Sequence, residues 1–131
     1  MITNFEKITA ELNEIELSIL PLVIDYFSIY SKNKPIKEPE FVRIFNEKNL
    51  GVKLNGVRLR KLVNYIRANG IVPLIATSKG YYISYDKKEI ETQIKSLYQR
   101  ASSIKNCANG LSNFLKEDLI VSQSNQIKLN I

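Results

Sequence analysis

Apolar residues recur along the first third of the chain at steps of three and four. Leu17, Leu20, Ile24, Phe27 and Tyr30 form one such stripe, and it predicts an amphipathic helix over residues 12–30. Asn13 and Glu16 stand at capping-box spacing at its start. Pro21 lies inside the pattern, where its ring and missing N–H should kink or split the helix. After a loop at residues 31–35, Pro39 opens a second helix with Phe41, Val42, Ile44 and Phe45 as its buried side and Gly51 as its left-handed stop. A third helix runs from an Asn55 cap to about Asn69, with Leu59, Leu62, Val63 and Ile66 inward and Gly70 as its end.

The period then changes. Residues 72–77 and 81–85 are β-prone runs around the turn Ser78-Lys79-Gly80, which predicts a hairpin. Asp86 and Glu89 begin a long helix reaching roughly Leu115. Along it, Ile90, Ile94, Leu97, Ala101, Ile104, Ala108, Leu111 and Leu115 follow an unbroken alternation of four and three, the heptad of a coiled coil. Residues 117–131 end in an alternating, strand-like run, Gln126 to Ile131, one arm of a short strand or hairpin with Leu119-Ile120-Val121. The predicted class is mainly α with a small β-hairpin (α+β). Its parts are a winged helix-turn-helix domain over 10–85, a long helix over 86–116 with the heptad seam, and a tail over 117–131.

Charge sharpens this outline. The net charge is +6, with 19 basic and 13 acidic residues, but the excess is local. Between Glu47 and Asp86 there is no acid, while Lys48, Lys53, Arg58, Arg60, Lys61, Arg67 and Lys79 fall in that interval. It covers the turn, the third helix and the hairpin, the parts that a winged helix presents to DNA. One-sided charge of this kind suits a polyanion. Its alternative is a solvated basic surface.

Taken as a recognition helix, the third helix puts Asn55, Val57, Arg58 and Lys61 nearest the bases. Arg60, Asn64 and Arg67 lie against phosphates, and Lys79 sits at the wing tip. Each also has a plain reading as an exposed polar group. Tyr81, Tyr82 and Tyr85 suit packing onto the helices better than base stacking, although a single-stranded or RNA target stays open.

The run Leu54-Asn-Gly-Val-Arg-Leu-Arg-Lys-Leu-Val-Asn-Tyr-Ile-Arg67, followed by Ala-Asn-Gly and by Pro73-Leu-Ile-Ala-Thr-Ser-Lys-Gly-Tyr-Tyr82, resembles small winged-helix proteins of bacteriophages and prophages. Glu16-Leu-Ser-Ile-Leu-Pro-Leu-Val23 and Leu97-Tyr-Gln-Arg100 fit the same pattern, and the resemblance covers roughly residues 10–115. It implies a winged-helix fold and DNA binding, and it supplies neither an operator nor a catalytic residue.

The absence of His and the single Cys107 exclude His-based catalysis, a Cys/His zinc site and a disulfide framework. Cys107 reads as a bystander beside the seam rather than a redox sensor. No phosphate loop, metal constellation or carboxylate pair with a nucleophile is visible, so neither enzymatic activity nor a cofactor is expected. The longest apolar stretch is interrupted by Glu16, Pro21 and Asp25, and the first residues lack a signal pattern. Location in a bacterial or infected-cell cytoplasm, away from membranes, is the expectation. The eight seam residues predict a homodimer, parallel or antiparallel, unless the helix folds back on its own domain. The expected partner is double-stranded DNA, for a transcriptional regulator or replication accessory of phage or mobile-element type. The alternative is a protein-interaction module on the same scaffold that docks on a host or phage protein.

Overall fold

A computed structural model describes residues 4–116. The elements are α1 (Asn4–Thr9), α2 (Glu14–Phe27), α3 (Glu38–Glu47), α4 (Gly56–Ala68), β1 (Leu74–Thr77), β2 (Gly80–Ile83) and α5 (Lys87–Ser112), then a 3-10 turn, Asn113–Leu115. The chain is mainly helical with one antiparallel hairpin. It divides into two compact units, Met1–Glu91 and Thr92–Ile131, at a point within α5. The strand or hairpin expected in the tail falls outside the described residues.

The start of α2 matches its pattern. The Asn13 side chain accepts from the Glu16 amide at 2.8 Å, and the Glu16 carboxylate accepts from the Asn13 amide at 3.0 Å, a complete capping box. Pro21 does not split the helix. It lies on an exposed face, where water can satisfy the Leu17 carbonyl that loses its helical partner. The buried face is Glu16, Ile19, Leu20, Val23 and Phe27; of the predicted stripe, Leu20 and Phe27 are buried and Ile24 and Tyr30 pack against the core, while Leu17 is exposed. Ile19 and Val23 widen the inward face beyond that stripe.

α3 begins as expected, with Pro39 in its first turn, but ends at Glu47. Asn49 already takes a positive φ, two residues before Gly51 does. The turn into α4 is closed by Asn46, whose side chain donates to the Leu54 carbonyl at 3.0 Å and accepts from the Leu54 amide at 2.8 Å. The core of the first unit joins α2, α3, α4 and β1 through Phe27, Phe41, Phe45, Leu59, Leu62, Ile66 and Leu74. Phe27 stacks on Phe41 with ring centres 4.1 Å apart and meets Tyr81 edge-on at 5.6 Å. Tyr81 and Tyr82 are therefore drawn into the packing, while Tyr85 is exposed.

A lone two-stranded hairpin is marginal in water. Here it gains a third pairing partner. Ile36, just before α3, exchanges two backbone hydrogen bonds with Tyr81, at 3.0 and 2.7 Å. The hairpin is thereby tied to the segment between α2 and α3. Gly80 makes the approach possible. Its φ is +134°, and a Cβ there would lie 2.5 Å from the Ile36 carbonyl oxygen.

At the far end of the hairpin, Ser84 donates to the Glu89 carboxylate and its oxygen accepts from the Asp86 amide. Asp86 itself caps α5 by accepting from the Lys88 amide at 2.9 Å. Glu89 thus reaches Ser84 rather than closing a capping box with Asp86.

Gly80→Ala combines backbone strain with a steric conflict against main chain. It should lower stability by about 2–3 kcal/mol in urea denaturation. Gly70 also has positive φ but nothing within 4 Å of an added Cβ. Gly70→Ala should cost about 1 kcal/mol, from backbone strain alone.

Candidate nucleic-acid interface on the third core helix

Five of the eight residues placed at a DNA interface by sequence, Asn55, Val57, Arg58, Arg60 and Lys61, cap or lie in the N-terminal half of α4, and Asn55, Arg58, Arg60 and Lys61 have specific partners within the chain. Asn55 caps the helix, its side chain accepting from the Arg58 amide at 2.8 Å. Glu16 of α2 is buried opposite this turn, its side chain only 4% exposed. Lys61 Nζ donates to Glu16 Oε1 at 2.6 Å, and Arg58 Nε donates to Oε2 at 3.2 Å. Arg58 Nη1 also donates to the Lys53 carbonyl at 3.0 Å. Both cations predicted to read bases are therefore engaged inside the chain. The trio retains one net positive charge.

The carboxyl of Glu16 responds to opposing influences. Burial pushes its pKa up, but the Lys61 hydrogen bond, the Asn13 amide and the charges of Lys61 and Arg58 together bring it below the ordinary 4.5. The group is ionised at neutral pH, and its ionised form is part of the fold.

The opposite flank of α4 is organised by Glu38 of α3. Arg60 Nε lies 3.7 Å from Glu38 Oε2 and donates to the Gly56 carbonyl at 3.1 Å. Glu38 Oε1 also crowds the position a Cβ would take at Gly56, so glycine there lets the carboxylate approach the helix. The Tyr81 phenol feels the same group. Its burial, and then the Glu38 charge, raise its pKa, while Arg60 and Arg67 draw it down. The charges of Arg60 and Arg67 thus both act on Tyr81. Arg67 and Asn64 are half-buried, and Lys79 is exposed at the hairpin turn.

One element was not anticipated. Helix α1 lies alongside α4. A cleft of about 520 Å³ is lined by Lys7 and Ala10 together with Glu16, Asn55, Val57, Arg58 and Lys61. The four residues expected to be base-proximal thus line a cleft beside the N-terminal segment rather than an open helix face. A six-residue helix is too short to be stable alone or to display a period, so the pattern of the chain does not mark it. The burial of Glu16 leaves no local mark beyond its capping spacing, because its cationic partners lie in α4.

The heptad residues occupy different surroundings. Ile90 is half-buried and belongs to the first unit. Ile94, Leu97, Ala101, Ile104, Ala108 and Leu111 are exposed on α5, as is Leu115 in the 3-10 turn that follows. Ile104 and Leu111 reach 70% and 71% exposure. Among the described residues, nothing covers this stripe. Cys107 beside it is exposed. No described helix is long and apolar enough to cross a membrane.

Removing the Glu16 charge leaves Lys61 and Arg58 uncompensated. Glu16→Gln should cost about 1–3 kcal/mol of stability at neutral pH, below the value for a fully buried pair because both cations reach solvent. Since the folded pKa is lowered, the ionised carboxylate contributes fully above the unfolded value of 4.5, and this contribution is lost as the pH falls through the folded value. The gap between wild type and variant in urea denaturation should therefore narrow in acid. A gap of constant size would show that the charge of Glu16 is not what stabilises the fold.

No protein-family model, curated protein or solved structure matches this chain.

Proposed function

We propose that the chain is a dimeric winged-helix protein that binds double-stranded DNA through α4 and the β1–β2 hairpin. The observation that carries this reading is the hairpin's attachment. Ile36, between α2 and α3, pairs with Tyr81, and the hairpin follows α4 directly in the chain. Helix, short β segment, two helices and hairpin wing is the connectivity of a winged helix, with α3 and α4 as the helix-turn-helix. The acid-free interval from Glu47 to Asp86 falls on these parts.

The ion pairs refine which residues serve the interface. Arg58 and Lys61 act as one unit with Glu16, carrying a single net charge beside Lys7 in the cleft. Lys53 and Lys79 are exposed and suit phosphate contacts, which position a protein on DNA without reading its sequence. The exposed heptad stripe is the dimer seam of this reading. Dimerisation would present two DNA-binding surfaces, as a symmetric site requires. The role is that of a regulator or replication accessory of phage or mobile-element type.

A second reading, a module that docks on a host or phage protein, is favoured by one observation. Arg58, Arg60 and Lys61 already have acidic partners within the chain. Fluorescence anisotropy with a labelled random-sequence duplex at about 50 and 200 mM salt separates the two. DNA binding predicts association that weakens steeply with salt. Lys53→Ala and Lys79→Ala should each weaken it about equally for any sequence and reduce the salt slope by about 1. Absence of binding at the lower salt would favour the docking module.

A further inference from the structure

We infer that α5 pairs with α5 of a second copy in antiparallel orientation, with Ala101 of one chain facing Ile104 of the other. The proposal rests on the reading of the heptad stripe as a dimer seam and adds its direction and register. A stripe kept at steps of four and three, rather than at the helix's own 3.6, is what another helix of the same period requires. The stripe from Ile94 to Leu111 is exposed, so a second copy finds it open.

Side-chain size decides the direction. In a parallel pair in register, each residue meets its own counterpart. Ala101 would face Ala101 and Ala108 would face Ala108, leaving two layers of the seam underfilled. Voids of that kind destabilise a packed interface. The steps of the stripe read the same in reverse about a point between residues 102 and 103. Turning one helix around this point sets Ile94 against Leu111, Leu97 against Ala108, and Ala101 against Ile104. Every alanine then faces a large aliphatic side chain, and no position between 94 and 111 is left without a partner.

The flanking charges point the same way. Parallel pairing brings Arg100 beside Lys105 of the second copy, a like-charge contact. Antiparallel pairing sets Tyr98 beside Lys105 and Arg100 beside Cys107, with no like charges in contact. Packing and electrostatics thus select one orientation.

Cross-linking of the full chain tests this in a Cys107→Ser background. In the antiparallel register, residue 108 of the two copies lies about 16 Å apart along the pair, beyond the roughly 7 Å limit of a disulfide. Ala108→Cys alone should therefore give no covalent dimer under oxidation. Leu97→Cys combined with Ala108→Cys should give one efficiently. A covalent dimer from Ala108→Cys alone would overturn the orientation and leave the seam in place. Failure of both variants to cross-link, in a chain that sediments as a dimer, would overturn the register. Sedimentation of the Cys107→Ser chain as a monomer at tens of micromolar would overturn the seam itself. Circular dichroism confirms that each variant keeps its helix.

Discussion

The carboxylate of Glu16 ties the first unit together. Its Oε1 accepts from the Asn13 amide and from Lys61, and its Oε2 accepts from Arg58. One side chain therefore closes the start of α2 and anchors the first two turns of α4. A buried carboxylate is tolerated only when it is well paired, and here pairing comes from the basic helix that the charge map singles out. The cost is functional as well as energetic. Two of the cations best placed to meet a polyanion are held by the fold. The surface they leave is less basic than the sequence suggests.

The same logic governs the other flank. Glu38 approaches α4 over Gly56 and draws Arg60 toward α3 and the hairpin, where Arg67 also influences Tyr81. An acid-free stretch of chain is thus not an acid-free stretch of surface. Acids 22 to 45 residues away return to it in space. Lys53 and Lys79 remain exposed, and both are outside α4 itself. DNA binding on this surface would be led by the turn before α4 and by the hairpin, with the helix aligned by its ion pairs.

How much of this was legible in the chain follows from the range of each interaction. Local rules worked where the structure is local. Asn13 with Glu16, Asn55 with the Arg58 amide, and the two runs around Ser78-Lys79 are readable because partners lie within a few residues. On α2 the spacing places Leu20 and Phe27 inward, but Leu17 is exposed and Ile19 and Val23 are buried, because the neighbouring elements rather than the spacing set the limits of the inward face. The Ile36–Tyr81 pairing spans more than forty residues and leaves no periodic trace. The cleft beside α1 depends on an element too short to show a period. The candidate site was therefore legible as a set of residues but not as an arrangement. Which cations are spent on the fold is a long-range property.

The second unit presents the converse case. Its helix has no buried residue, yet its apolar spacing is more regular than that of any helix in the core. Core helices are packed by several neighbours at varied angles, so their stripes wander. A stripe held strictly to four and three is the spacing that suits a single helical neighbour. In the proposed pairing the small residues at 101 and 108 would accommodate large side chains of a reversed copy of the same helix. The buried stripes record the varied geometry of what covers them, and the exposed one keeps the spacing that a lone helical partner would require.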